Sequence, residues 1–151
     1  MAATPKFVGT DRTEAFSLVN ATGAVGTTLT TAPTNSVLAC TAHATLGSVI
    51  SSFVVATDES TAKVLVIYRS IDAGTTKFPI GAISIPINSG QSGAIANVDI
   101  LASLVLLGFP VDLSGRNCII LAAAERLYVG VQVAVTAAKF LIGTISIGDY
   151  N

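Results

Sequence analysis

Apolar residues recur at every second position in several short stretches, the spacing that turns one side of a strand toward a core. In residues 127–135 the odd positions are Leu127, Val129, Val131, Val133 and Val135. Between them stand Tyr128, Gly130, Gln132 and Ala134. Ile83, Ile85 and Ile87 repeat the alternation against Ala82, Ser84 and Pro86, and Leu141, Ile145 and Ile147 repeat it near the C-terminus. Residues 49–56 and 64–71 are rich in β-branched side chains and apolar on both faces, which predicts central strands of a two-layer structure.

Turn-forming residues separate these runs. Asp72-Ala73-Gly74-Thr75-Thr76 reads as a hairpin loop. Asn88-Ser89-Gly90-Gln91-Ser92-Gly93 and Asp112-Leu113-Ser114-Gly115-Arg116-Asn117 are further turn clusters. One segment has helical spacing instead. Asn97 is a cap candidate, Asp99 follows in the first turn, and Leu101, Leu104 and Val105 share a face before Gly108 and Pro110 stop the run. The predicted fold is therefore all-β: an antiparallel β-sandwich or jelly-roll-like barrel, with one short helix near residues 97–107 closing one end. Residues 1–45 are less regular. They are expected to form an arm plus an edge strand that packs on the same domain or on a neighbour, with the sandwich proper in residues 46–151 and a single domain overall.

Composition changes this picture in one respect. Thirteen Ser and 17 Thr outnumber the 8 Lys and Arg and 9 Asp and Glu combined. Charged residues are 11% of the chain, against about 25% in an average domain. Residues 15–57 are 43 consecutive positions without a charge, and residues 78–98 are a second neutral stretch. A monomer of this size exposes roughly 7,000 Å² of surface, so its charges are spread at about half the usual density. Such a surface is either kept wet by Ser, Thr and Asn, or covered by neighbouring subunits; depletion of charge favours the second. The high hydrophobic content excludes a disordered chain, and the shortage of charged positions excludes a coiled coil. A net charge of −1 argues against nucleic acid as a partner. The longest unbroken apolar run is residues 118–124, far short of the roughly 20 needed for a membrane helix. The N-terminal residues contain no apolar signal-peptide core, so synthesis in the cytoplasm is expected, and the Asn20-Ala21-Thr22 sequon then carries no meaning. Cys40 and Cys118 lie far apart and are expected as reduced, buried thiols.

Candidate chemistry is sparse. His43 is the one histidine. It could serve as a general base with Ser51 and Asp58, but no GxSxG elbow marks a nucleophile, and a neutral histidine in or beside a strand is the simpler reading. Ser60-Thr61-Ala62-Lys63 matches the SxxK string of β-lactamases without its companion SDN and KTG motifs. Asp58-Glu59 is an adjacent acidic pair, expected at a loop tip before the strand at Lys63, since sequence neighbours on a strand point apart. The absence of Trp weighs against a carbohydrate or single-stranded nucleic-acid platform. No catalytic, cofactor-binding or metal-binding residue is nominated, and no enzymatic activity is expected.

The C-terminal part carries a resemblance. Asn97-Val98-Asp99-Ile100-Leu101 is followed by Leu107-Gly108-Phe109-Pro110-Val111-Asp112, Gly115 and Leu121-Ala122-Ala123. Then come Leu127-Tyr128-Val129-Gly130-Val131, Ala134-Val135-Thr136-Ala137 and Gly148-Asp149-Tyr150. This order resembles the small β-rich head decoration or cement proteins of tailed bacteriophages, over about the last 55 residues. The resemblance implies a non-enzymatic virion subunit on the capsid exterior, made in the host cytoplasm. Its implied partners are the major capsid protein and itself, as a homotrimer, with no nucleic acid, membrane or cofactor. Read without the resemblance, the same composition suits another virion subunit of tail or fibre, or a small soluble β-sandwich ligand-binding module.

Overall fold

A computed structural model describes residues 8–19, 24–103, 110–111 and 115–151 of the chain. Among these residues, nine strands and one helical turn follow in the order β1 (Val8–Val19), β2 (Val37–Thr41), β3 (Ser48–Thr57), β4 (Lys63–Ser70), β5 (Phe78–Ile85), β6 (Val98–Asp99), α1 (Ile100–Ser103), β7 (Ile119–Leu121), β8 (Arg126–Val131) and β9 (Phe140–Tyr150). They form two antiparallel sheets packed face to face, a sandwich and not a closed barrel. Sheet A has the order β1-β9-β3, and the far edge of β3 is shared by β7 at one end and β6 at the other. Sheet B has the order β2-β8-β4-β5.

The alternating residues build the core between the layers. Leu141, Ile145 and Ile147 of β9 and Phe16 and Leu18 of β1 meet Leu65 and Ile67 of β4 and Leu127, Val129 and Val131 of β8. Phe16 is the tightest fit. It stands edge-on to Phe53, with ring centroids 5.8 Å apart, and lies directly across from Gly143. A Cβ on Gly143 would come within 2.3 Å of the Phe16 ring, so the glycine makes room for it.

Several expectations are corrected. The alternation over residues 127–135 does not make one strand: β8 ends at Val131, and Val133 is 61% exposed. The carboxylate of Glu59 binds Thr136 and the ammonium of Lys63 binds the Ala134 carbonyl, which draws the chain off the sheet. Val135 still reaches the core, from a loop. β5 stops at Ile85, and Ile87, beyond Pro86, is exposed. The helix is a single turn, preceded by the short strand β6. Asp99, not Asn97, caps it, its side chain accepting the Ala102 N–H at 3.2 Å. Ile100 and Leu101 plug this end of the core. Leu104, Val105 and the stop at residues 107–109 lie outside the described residues, as does Asn20.

Within residues 1–45, Val8–Val19 is a regular 12-residue edge strand of sheet A and Val37–Thr41 an edge strand of sheet B. The irregular part is residues 24–36, which folds over the outer face of sheet B. Val25 donates its N–H to the Val131 carbonyl at 2.8 Å, and its side chain joins Val66, Tyr68 and Tyr128 in a second, smaller apolar cluster. Lys77 clamps the same segment. Its N–H bonds the Thr31 carbonyl, and its ammonium lies 4.8 Å from the Tyr128 ring centroid. The hairpin loop after β4 is closed by Asp72, which accepts hydrogen bonds from Ser70 and from the Thr76 N–H, while Ala73 and Gly74 take positive φ. The bonds from Thr76 and Ser70 pull the Asp72 carboxyl down to about 2.

Candidate functional site

The side chains suited to chemistry are engaged in holding the sandwich together. At one corner Arg12 reaches from β1 to the last strand, where its Nε donates to Asp149 at 2.9 Å. It also donates to Glu14 and to the Thr41 carbonyl. Ser48 donates its hydroxyl proton to Asp149 at 2.5 Å and accepts the His43 backbone N–H at 2.8 Å. Burial would raise the Asp149 carboxyl, but the bonds from Arg12 and Ser48 outweigh it and hold the group below the usual carboxylate range.

This corner unites a serine, a histidine and an aspartate, the residue types of a hydrolytic triad, in the wrong roles. The Ser48 proton is directed at the carboxylate and not at an imidazole, and Ser48 is fully buried. The His43 Nδ1 faces the backbone N–H groups of Thr45 and Leu46 at 3.4 and 3.3 Å, closing its own turn. The residues named from the sequence are not brought together. His43 is tied to the first residue of β3, whereas Asp58 follows its last, a strand length of about 30 Å away. Asp58 accepts the Phe140 N–H at 2.7 Å. Ser51 lies on the outer face of sheet A, in an open groove of 380 Å³ with Asp11, Arg12, Thr13, Ser146 and Ile147.

Asp58 and Glu59 lie in the loop before β4, as expected, but not at an exposed tip. Glu59 is fully buried, 3.4 Å from the Lys63 ammonium, and accepts both the Thr136 N–H at 2.5 Å and its hydroxyl at 2.8 Å. Burial opposes ionisation of Glu59, but the Thr136 bonds and Lys63 prevail and lower its pKa. Lys63 also donates to the Ala134 carbonyl at 2.8 Å, so the SxxK lysine is committed to structure while Ser60 is exposed. Cys40 and Cys118 are buried thiols, and burial pushes Cys40 up to about 12. Among the described residues, no group of three or more His, Cys, Asp or Glu side chains could hold a metal ion.

The feature left unused by the fold is the outer face of sheet A. Strand register lines up three rows across β1, β9 and β3: Thr13–Ser146–Ser52, Ala15–Thr144–Val54 and Ser17–Ile142–Ala56. None of these nine residues is charged, and five of them, Thr13, Ala15, Ser17, Ile142 and Thr144, are exposed. Charges stand at the margins: Asp11 one row further along, Asp99 opposite Val54 on the short edge strand, and Arg116, which shares a groove with Ser52 and Asp99. The arrangement is a patch of small hydroxyl and apolar side chains with a rim of mixed charge, the anatomy of a protein interface. Sheet B offers no equivalent over β4 and β8, where residues 24–36 lie. The neutral stretch of the sequence contributes Ala15, Ser17, Ser52, Val54 and Ala56 to the patch. Its assembly into rows depends on pairing between strands more than 80 residues apart, for which local sequence holds no signal.

Comparison with known protein families, with curated proteins and with solved structures finds no match for this chain.

Proposed function

We propose that the protein is a structural virion subunit, a decoration or cement protein that lies on the outside of a phage head and strengthens contacts between major capsid proteins. The observation that carries this reading is the uncharged outer face of sheet A. An exposed sheet face facing only water normally alternates charged residues into its outward positions. Nine consecutive cross-strand positions without one suit a surface that spends its working life covered. The resemblance of the C-terminal part to head decoration proteins supplies the class of partner. In this role the protein makes and breaks no covalent bonds. Its hydroxyl rows exchange hydrogen bonds with water for bonds to capsid protein, and Ala15, Val54 and Ile142 add apolar contact. Each contact is modest, and many copies on one shell act together by avidity.

The test is co-sedimentation with heads assembled from the major capsid protein of the same phage. Wild-type protein is expected to sediment with the heads and raise their resistance to heat. Thr144→Lys places a charge at the centre of the patch on an exposed position, so folding is retained and binding is lost. Wild-type protein that stays in the supernatant, or a Thr144→Lys variant that binds as well as wild type, would overturn the proposal.

A further inference from the structure

The free edge of β1 carries its own partner specification. β1 is the terminal strand of sheet A, and among the described residues no strand pairs with its outer side. It is 12 residues long, with no proline. Natural edge strands of this length are normally blunted by prolines, bulges or inward charges, because their unpaired N–H and C=O groups recruit other strands. β1 carries a bulge between Val8 and Thr10 and the charges Arg12 and Glu14 on its core-facing parity, so the partner that joins it must neutralise those charges. We propose that β1 pairs antiparallel with β1 of a second copy of this chain, with Thr13 opposite Thr13 on the twofold axis.

The register follows from charge. Two identical antiparallel strands related by a twofold axis can be aligned with any residue of β1 at the axis. Alignment on Asp11, Arg12 or Glu14 puts like charges directly opposite each other, which is destabilising. Alignment on Thr13 puts Arg12 opposite Glu14 of the second copy, and Glu14 opposite its Arg12. It also pairs Thr10 with Phe16 of the second copy and so engages residues 10–16 up to the bulge at Gly9. Alignment on Ala15 or beyond avoids repulsion but forgoes both ion pairs and leaves Val8 to Thr10 unpaired. Of the registers centred on Asp11 to Val19, the one centred on Thr13 is charge-complementary. Arg12 and Glu14 are part-exposed and already bonded to each other within the chain, and Arg12 also to Asp149 and the Thr41 carbonyl, so the pairs to the second copy join an existing charge network.

The twofold axis stands perpendicular to the sheet, so residues of like parity share a face. The two uncharged patches then lie on one surface, joined at Thr13 and flanked there by Asp11 of each copy opposite Ala15 of the other. The row Ser52–Ser146–Thr13 continues into the Thr13, Ser146 and Ser52 of the second copy, a run of hydroxyls across the joined sheets. The contact does not rest on the decoration reading and needs no capsid protein.

Cysteine scanning tests it directly on the full chain. In the proposed register two Thr13→Cys side chains face each other with Cα atoms about 4.5–5.5 Å apart, within disulfide reach. Ala15→Cys faces Asp11 of the second copy and lies about 13 Å from its own symmetry mate, beyond reach. Cys40 and Cys118 are buried and supply no background. Mild oxidation is expected to convert the Thr13→Cys protein to a covalent dimer while Ala15→Cys stays unlinked. Glu14→Arg, at a part-exposed position, sets Arg against Arg12 twice in each dimer and is expected to raise the dissociation constant, measured by light scattering, about tenfold. Failure of Thr13→Cys to cross-link, cross-linking of Ala15→Cys at an equal rate, or a Glu14→Arg variant that associates as wild type would overturn the proposal.

Discussion

Replacing Glu59 by Ala removes the anion from a fully buried ion pair and leaves the Lys63 side chain, itself only 6% exposed, with the Ala134 carbonyl as its remaining partner. Breaking a buried pair by removing one member costs about 3–5 kcal/mol, because the surviving charge stays desolvated. Thr136 is exposed, so water replaces the two hydrogen bonds it donates to Glu59, and little is added to that figure. With a urea slope of about 2 kcal/mol per molar, the unfolding midpoint falls by roughly 2 M. The chain has no Trp, so the transition is read by circular dichroism or tyrosine fluorescence. Adding Lys63→Met to Glu59→Ala removes the stranded ammonium and is expected to recover more than half of the loss. A cost below about 1 kcal/mol for Glu59→Ala would mean that the pair behaves as an exposed one, and would refute the buried-pair account. Absence of any recovery on adding Lys63→Met would refute it equally.

Two further predictions concern packing and acid. Gly143→Val drives a branched side chain into the Phe16 ring and is expected to cost about 1–3 kcal/mol by overpacking, whereas Gly143→Val with Phe16→Ala costs less than the separate changes combined; additive unfolding free energies for the pair would contradict this. Glu59, Asp72 and Asp149 all have pKa values lowered by folding, so the unfolded chain binds more protons in acid. The stability they contribute is complete above their unfolded values near 4 and is lost as pH falls through their lowered folded values, about 2 for Asp72. Asp149→Asn is expected to flatten that decline in a pH series of urea midpoints, and an unchanged slope would show that Asp149 has no part in it.

What the sequence made legible was the local part of the fold. Leu127, Val129 and Val131 alternate because the pleat itself does, and the β-branched run at β4 is buried on both faces, whereas that at β3 is buried on one face and Ile71 is exposed beyond the end of β4. The misreadings share a cause. Val133 and Val135 continue the alternation, yet β8 ends before them because Glu59 captures a turn 77 residues away. The expected cap at Asn97 lost to Asp99 because Val98 and Asp99 are taken up as a short edge strand on β3. His43 lies near a serine and an aspartate that no spacing in the chain would select, since Ser48 and Asp149 are 101 residues apart. The candidate surface was legible as a quantity and not as a place. The neutral stretch showed that charge was missing, and only the pairing of Ala15 with Thr144 and Thr144 with Val54 showed where it was missing from.

The pairing of β1 with β9 also sets how the protein bears load. Val8 is opposite Tyr150, and a Cβ on Gly9 would come within 2.6 Å of Asn151, so both described chain ends leave from the same end of one antiparallel ladder. A pull applied between them peels that ladder open one pair at a time, like a zipper taken from its top. A pull along the strands must break the whole row of bonds at once. The sandwich is thus weak to tension between its own ends and strong to shear in the plane of sheet A, the direction in which a joined sheet or a covered face would transmit force.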